Sequence, residues 1–247
     1  MFDVESMVKL NELEHFAFNY LVKMGDRAAG MTVREVAKES HVSTATIIRM
    51  AEKLGFKGWA ELKYFLKSSG DPLGKVNSNY ESVFTLDLFF KYLSSQPTLL
   101  LISKVVEEIR SAEFTLFLGM GTSDTLAQYG CRYFNNLGLS AFCMTDIYRP
   151  VQFNEFQNKL AIALSVSGET LQVLEKSLEI QKTGAKLVAI TNNSSSTLAK
   201  MADYNFSYNM LDERAIQEEH IQLTTQLPVL AILETLARQA YQDSTRE

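Results

Sequence analysis

Residues 160–170 read Leu-Ala-Ile-Ala-Leu-Ser-Val-Ser-Gly-Glu-Thr. The first five are apolar without alternation, the pattern of a strand covered on both faces. Strands of that kind belong to parallel sheets layered between helices. The last six set three hydroxyls (Ser165, Ser167 and Thr170) around Gly168 where a helix begins. Such a turn offers free backbone N–H groups and hydroxyl donors to a phosphate. It lacks the lysine and the glycine spacing of a nucleotide P-loop. Taken alone, it reads as an ordinary helix cap in which Ser167 or Thr170 satisfies backbone donors.

A second turn of the same kind lies upstream. The apolar run Phe114–Leu118 leads into Gly119-Met-Gly121-Thr-Ser123 and then a helical pattern. The glycines let a backbone approach an anion closely, and Thr122 and Ser123 add hydroxyl donors. A dinucleotide fingerprint needs glycine at 124, where Asp stands, so no nucleotide cofactor is expected. Two such turns on neighbouring parallel strands place a ligand site at the carboxyl ends of the strands. Further apolar runs at 139–144, 186–190 and 204–208 supply the rest of the sheet, and a helical pattern over about 217–241 closes the chain.

The first 69 residues carry almost no strand signal. Leu10, Leu13, Phe16, Ala17, Tyr20, Leu21 and Met24 recur at helical spacing. Thr32 followed by Glu35 forms a capping-box pattern for a short helix. A helix opening at Ser43 runs to Leu54, with Gly55 as its stop. Its inward set is Ile47, Met50, Ala51 and Leu54. Thr44, Ala45, Ile48, Arg49, Glu52 and Lys53 are left outward or at the rim. Two helices joined by the Lys38–Val42 turn fit a helix-turn-helix, whose second helix enters the DNA major groove. Periodicity alone fits a plain helical bundle equally well. Residues 68–79 are rich in turn formers and read as a linker. Helical pattern then resumes over 83–110, broken or restarted at Pro97.

The composition narrows the alternatives. Hydrophobic residues make up 46% of the 247 and charged residues 21%, which excludes a disordered chain. The net charge of −5 argues against nucleic acid only on average, since residues 40–69 hold five Lys/Arg against two Asp/Glu. Two cysteines, Cys131 and Cys143, are too few for a disulfide scaffold, and a reduced cytoplasmic setting is expected. Both read as small buried hydrophobes. No apolar run approaches a membrane span. His15 and His41 have no neighbours with metal-ligand spacing, so no metal site is expected.

The stretch His41–Lys63 resembles the N-terminal domain of the RpiR/MurR family of bacterial transcription regulators. That family carries V-S-x-x-T-V-x-R followed by K-L-G-F-x-G-[FYW]-x-E-L-K. Val42, Ser43, Thr46, Ile47, Arg49, Lys53–Phe56, Gly58, Trp59 and Glu61–Lys63 match it. The resemblance implies that Ser43, Thr44, Thr46, Arg49 and Lys53 face DNA, with Trp59 as a core anchor. Residues from about 105 to 241 resemble the sugar isomerase (SIS) domain. The matching motifs are Gly119–Ser123, Ser165–Thr170 and Gly184–Asn192. This resemblance implies a phosphosugar site formed by Gly121, Thr122, Ser123, Ser165, Ser167, Gly168 and Thr170. Glu219 would touch the sugar, with Glu218 as its competitor. Regulators of the family usually open the last helix with a Ser-Ser-Arg-like stretch. Here Gln226 replaces the Arg and Pro228 enters the first turn, which puts any contact of that Arg in doubt.

The expected architecture is therefore two domains. An all-α helix-turn-helix domain occupies 1–69, a linker and connecting helices 70–104, and a three-layer α/β SIS domain with a parallel sheet 105–247. The expected function is transcription regulation controlled by a phosphorylated sugar. The expected partners are a double-stranded DNA operator and a second copy or more of the chain, as homodimer or homotetramer, without membrane association. The alternative is a phosphosugar isomerase or lyase with a fused helical domain, in which Glu219 and His220 act as acid and base.

Overall fold

A computed structural model describes residues 10–24, 26–68, 82–210, 214–215, 218–222 and 224–244. Most of the expected linker lies outside them. The chain divides into two units, one of residues 1–92 and 211–223, the other of 93–210 and 224–247.

The first unit is built from helices α1 (Glu12–Met24), α2 (Asp26–Gly30), α3 (Val33–Glu39), α4 (Thr44–Lys53), α5 (Trp59–Ser68) and α6 (Ser82–Leu93). The capping box before α3 is present. Glu35 N donates to Thr32 Oγ1 (3.3 Å) and Thr32 N donates to Glu35 Oε2 (2.6 Å). Ser43 caps α4 by accepting from Thr46 N at 3.1 Å. Gly55, at φ +91°, reverses the chain after Leu54, so that Phe56 N donates back to Ala51 O. Only glycine takes that conformation without strain. Phe18, Leu21, Val36, Ile47, Met50, Trp59 and Leu62 form the buried core. Two polar ties brace it. The buried Glu14 carboxylate accepts from Lys53 Nζ at 2.6 Å, joining α1 to α4. Lys63 Nζ donates to the carbonyls of Gly30 and Met31, which closes the end of α2.

The second unit begins with α7 (Gln96–Ser111), where Pro97 stands in the first turn. It continues with β1 (Thr115–Leu118), α8 (Thr122–Asn136), β2 (Ala141–Cys143), β3 (Leu160–Ser165), α9 (Leu171–Lys182), β4 (Lys186–Thr191), α10 (Thr197–Met201) and β5 (Tyr204–Ser207). The last helix, α11, spans Leu227–Ser244. All five strands are parallel, in the order β2-β1-β3-β4-β5. Helix α8 packs on β1, β2 and β3, with α11 beside it and α7 against α11. On the other face, α9 covers β3 and β4, and α10 covers β4 and β5. Phe117 meets Phe134 edge-on at 4.9 Å on the α8 face. A side chain at Gly130 would come within 2.9 Å of the Phe117 ring, so the glycine lets α8 approach β1. Leu116, Leu118, Ala161, Ala163, Leu187 and Ala189 line the opposite face against Val173, Ile180 and Leu198.

One expectation fails at the C-terminal end. The last helix begins at Leu227, and residues 218–222 are strand β7, antiparallel to β6 (Arg214–Ala215). Proline lacks the N–H that a helix interior requires, so Pro228 is tolerated only in a first turn. The helical spacing of residues 217–226 therefore had no helix to join.

Candidate functional site

The sheet order reverses between β1 and β3, and ligand crevices of open parallel sheets lie at such a point, outside the carboxyl ends of the strands. Both glycine–hydroxyl turns stand there. The first follows β1. Gly121, at φ +61°, is the N-cap of α8, and no side chain caps the helix. Asp124 N is bonded to Gly121 O, so the N–H groups of Thr122 and Ser123 precede the first intrahelical bond. Gly119 is required by space, because a Cβ there would lie 2.7 Å from the Ser123 carbonyl. Ser123 is buried and Thr122 exposed.

The second turn follows β3 and is held by its own hydroxyls. Ser165 is buried. Its Oγ accepts from Gly168 N at 3.1 Å and shares a hydrogen bond with Thr170 Oγ1 at 3.1 Å. Ser167 is exposed, and its Oγ accepts from Glu169 N at 3.1 Å, leaving the hydroxyl proton free to donate outward. Thr170 opens α9 without a side-chain cap bond. Gly168 sits at φ +67°, and a Cβ there would fall 2.2 Å from Ser196 Oγ. Glu169 turns away from the loop, with its carboxylate accepting from Thr197 N at 2.7 Å. The Thr197 N–H and hydroxyl hold that carboxyl below its ordinary range. Seven of the expected residues (Gly121, Thr122, Ser123, Ser165, Ser167, Gly168 and Thr170) thus lie on two turns after adjacent strands. Glu219 lies on β7, which groups with the first unit, and its side chain lies outside the described residues.

Helix α11 adds a feature that the motifs did not signal. Tyr129 donates to Glu234 at 2.7 Å and Arg238 donates to Tyr133 at 2.8 Å, each pair 105 positions apart. Helices α8 and α11 therefore run side by side in the same direction. The same offset matches Leu227 with Thr122, so the two N-termini are level. Gln226 stands level with Gly121, and Pro228 is the second residue of the helix. The buried Tyr208 hydroxyl is pushed up by burial and pulled down by the Gln226 side chain beside it. A separate cavity of about 370 Å³ lies along β1 and β2 and includes Phe114, Phe142, Met144, Arg149, Glu155 and Phe156. The thiols are not activated. Burial pushes Cys143 up to about 11, aided by Asp124, and burial likewise raises Cys131.

In the first unit the residues expected to face DNA separate into two sets. Thr44 and Arg49 are exposed on the outward side of α4, and Ser43 is exposed at its start. Thr46 is only 3% exposed and lies 2.9 Å from Ser43 Oγ, so its hydroxyl completes the helix cap. Lys53 is engaged by Glu14. Burial pushes the Glu14 carboxyl up, but Lys53, the Asn11 N–H and Arg49 pull it down further, and it stays below its ordinary range. Thr46 and Lys53 thus each hold a partner within the domain. Trp59 is buried in the core as expected.

Comparison with known proteins follows the same division. Residues 5–71 match the helix-turn-helix domain of the rpiR family, and residues 108–234 match the SIS domain. The chain is 26% identical over 223 residues to an uncharacterised HTH-type transcriptional regulator of Clostridium perfringens (81% of this chain, 77% of that one). It is 23% identical over 201 residues to the HTH-type transcriptional regulator GlvR of Bacillus subtilis (80% and 78%). The sugar isomerase domain of the RpiR transcription factor from Sphaerobacter thermophilus shares the fold. Its TM-score is 0.53 at 18% identity, covering 67% of this chain and 88% of that one.

Proposed function

The chain belongs to the rpiR family of helix-turn-helix transcription regulators with a SIS domain, and from that premise we propose that a phosphorylated sugar, held by the turns after β1 and β3, controls its binding to DNA. Membership sets it among regulators rather than enzymes. The observation that carries the effector reading is the pair of glycine turns at the sheet's reversal point, each feeding a helix without a side-chain cap. Phosphate takes the backbone N–H groups of Thr122 and Ser123 and the hydroxyls of Ser167 and Thr170. Ser165 holds the second turn in shape. Two helix N-termini and neutral hydroxyls suit a phosphate dianion.

On the DNA side, Ser43 and Thr44 meet phosphates and Arg49 reaches a base edge or phosphate in the major groove. Residues 1–69 act as the DNA-binding domain, residues 105–247 as the effector domain, and 70–104 connect them. One helix-turn-helix gives modest affinity, so the chain acts as a homodimer or homotetramer on paired half-sites. Effector binding favours one arrangement of the paired domains over another. No helix among the described residues is long and apolar enough to cross a membrane, and the protein works in the cytoplasm, where its operator lies.

The test is selection of fragmented genomic DNA by the purified protein at moderate salt, since phosphate contacts weaken steeply with salt. The retained fragments are then titrated with a panel of hexose, pentose and amino-sugar phosphates. Recovery of a palindromic site whose occupancy one sugar phosphate changes, while the unphosphorylated sugar does not, is the expected result. Indifference to every phosphate in the panel at millimolar concentration overturns the effector reading.

A further inference from the structure

The outward side of α4 is not uniformly polar. Ile48 is 38% exposed there, and Ala45, one turn before it, is exposed as well. The inward side of the same helix is complete without them, since Ile47, Met50 and Ala51 are fully buried. Ile48 therefore stands outside the set that fills the core. A β-branched apolar side chain is also a poor choice for the solvent face of a helix. Thr44 and Arg49 flank the pair with a hydroxyl and a guanidinium. The outward stripe of the helix thus offers hydrogen-bonding groups beside an apolar step.

The major groove has one apolar feature at the base edges, the C5-methyl of thymine. An apolar side chain on a groove-facing helix excludes water from that methyl and is neutral or unfavourable against the polar edge of cytosine. Positions 45 and 48 are separated by about 4.5 Å along the helix axis. The base-pair rise is about 3.4 Å, so on a helix lying along the groove the two side chains would fall on neighbouring base pairs.

We propose that Ile48, assisted by Ala45, is a specificity-determining residue of this regulator and reads the methyl group of thymine beside the base contacted by Arg49. The proposal rests on the DNA-binding reading of α4. The operator half-site therefore carries thymine on one or both of two adjacent base pairs, and the 5-methyl group, not the hydrogen-bonding edge, is what Ile48 recognises.

The test uses the duplex that the full-length protein selects from genomic DNA, resynthesised with deoxyuridine in place of thymidine at one position at a time. Deoxyuridine pairs identically and lacks only the methyl. Fluorescence anisotropy gives the affinity of each duplex. The wild-type protein is expected to bind about fourfold more weakly where a methyl seated on Ile48 is removed, the factor that burying one such group confers. Ile48→Ala is expected to bind the thymidine and deoxyuridine duplexes alike at that position. Arg49→Ala weakens both and preserves the ratio between them. The exposure of Ile48 keeps the variant folded, and an unchanged melting temperature checks it. Equal affinity of the wild-type protein for every deoxyuridine duplex overturns the thymine reading while leaving DNA binding intact. Failure to retain any duplex overturns the DNA-binding reading itself, and the proposal with it.

Discussion

The outward face of α4 and the turn after β3 are both rich in short hydroxyls, yet they use them in opposite ways. On α4 the hydroxyls of Ser43 and Thr46 complete the cap, and the exposed side chains of Thr44, Ala45, Ile48 and Arg49 take no part in shaping the backbone. In the turn after β3, the bonds of Ser165 to Gly168 N and Thr170 and of Ser167 to Glu169 N together shape the backbone. A surface that reads a partner with separate side chains loses one contact per substitution. A surface that reads with its backbone fails as a whole when the turn is deformed.

The largest effect expected from this contrast is at Gly168. Alanine there must hold φ near +67° with its Cβ against the Ser196 hydroxyl. The conformation and the overlap together cost about 4 kcal/mol. Gly168→Ala is expected to lower the melting temperature of the second unit and to abolish binding of any sugar phosphate in calorimetric titration. Recovery of a wild-type effector response in this variant would show that the turn is not the site. No residue on the outward face of α4 is expected to have a comparable effect on stability.

The next effect lies beneath α4 and sharpens the comparison from the other side. Glu14 is almost fully buried, and Lys53 answers it. Glu14→Gln removes the buried carboxylate that accepts from Lys53 and is expected to cost about 2 kcal/mol of first-unit stability. The pH dependence has a definite sign. The folded carboxyl titrates below its ordinary range. Its contribution is therefore present above the unfolded value and is lost as pH falls through the folded one. Urea unfolding of the wild-type protein near pH 4 and at pH 7 should show that loss, and Glu14→Gln should reduce it.

These two cases mark what the sequence discloses and what it hides. The run Leu160–Leu164, the two glycine turns, the Thr32–Glu35 box and the Gly55 stop are local patterns, and each folds as its pattern implies. The roles of Thr46 and Lys53 depend on neighbours that spacing does not name. Lys53 meets a carboxylate 39 positions away. Thr46 stands three residues after a serine cap, so the cap claims its hydroxyl before any partner can. Residues 218–222 have helical spacing but pair as a strand, and Pro228 was the local sign against a helix there. The level N-termini of α8 and α11 rest on side-chain pairs 105 positions apart, beyond the reach of any motif.

Arg49→Ala tests the α4 side of the contrast directly. The guanidinium is exposed on a helix whose core is complete, so the melting temperature should not move. Loss of one base or phosphate contact is expected to weaken DNA binding about tenfold, roughly 1.4 kcal/mol. If the contact is to phosphate, the slope of affinity against salt also falls by about one, which separates that case from base reading. Binding equal to wild type in both affinity and slope would remove Arg49 from the interface.

The smallest effect, at Ser167, bears most closely on how the two surfaces differ. Its hydroxyl accepts from Glu169 N, and of the turn's three hydroxyl residues it is the exposed one. If it only shapes the turn, its loss costs one exposed backbone hydrogen bond that water replaces, and effector affinity stays close to wild type. If it also donates to the phosphate, Ser167→Ala is expected to weaken the effector by about 1 kcal/mol, roughly fivefold, since one hydrogen bond to a charged acceptor is lost. Ser165→Ala should behave differently, because its hydroxyl is buried and holds both Gly168 N and Thr170. That variant loses stability and effector affinity together. A fivefold loss at Ser167 with unchanged melting, set beside a coupled loss at Ser165, would show that a single loop contains both kinds of hydroxyl, one facing the ligand and one holding the backbone that receives it.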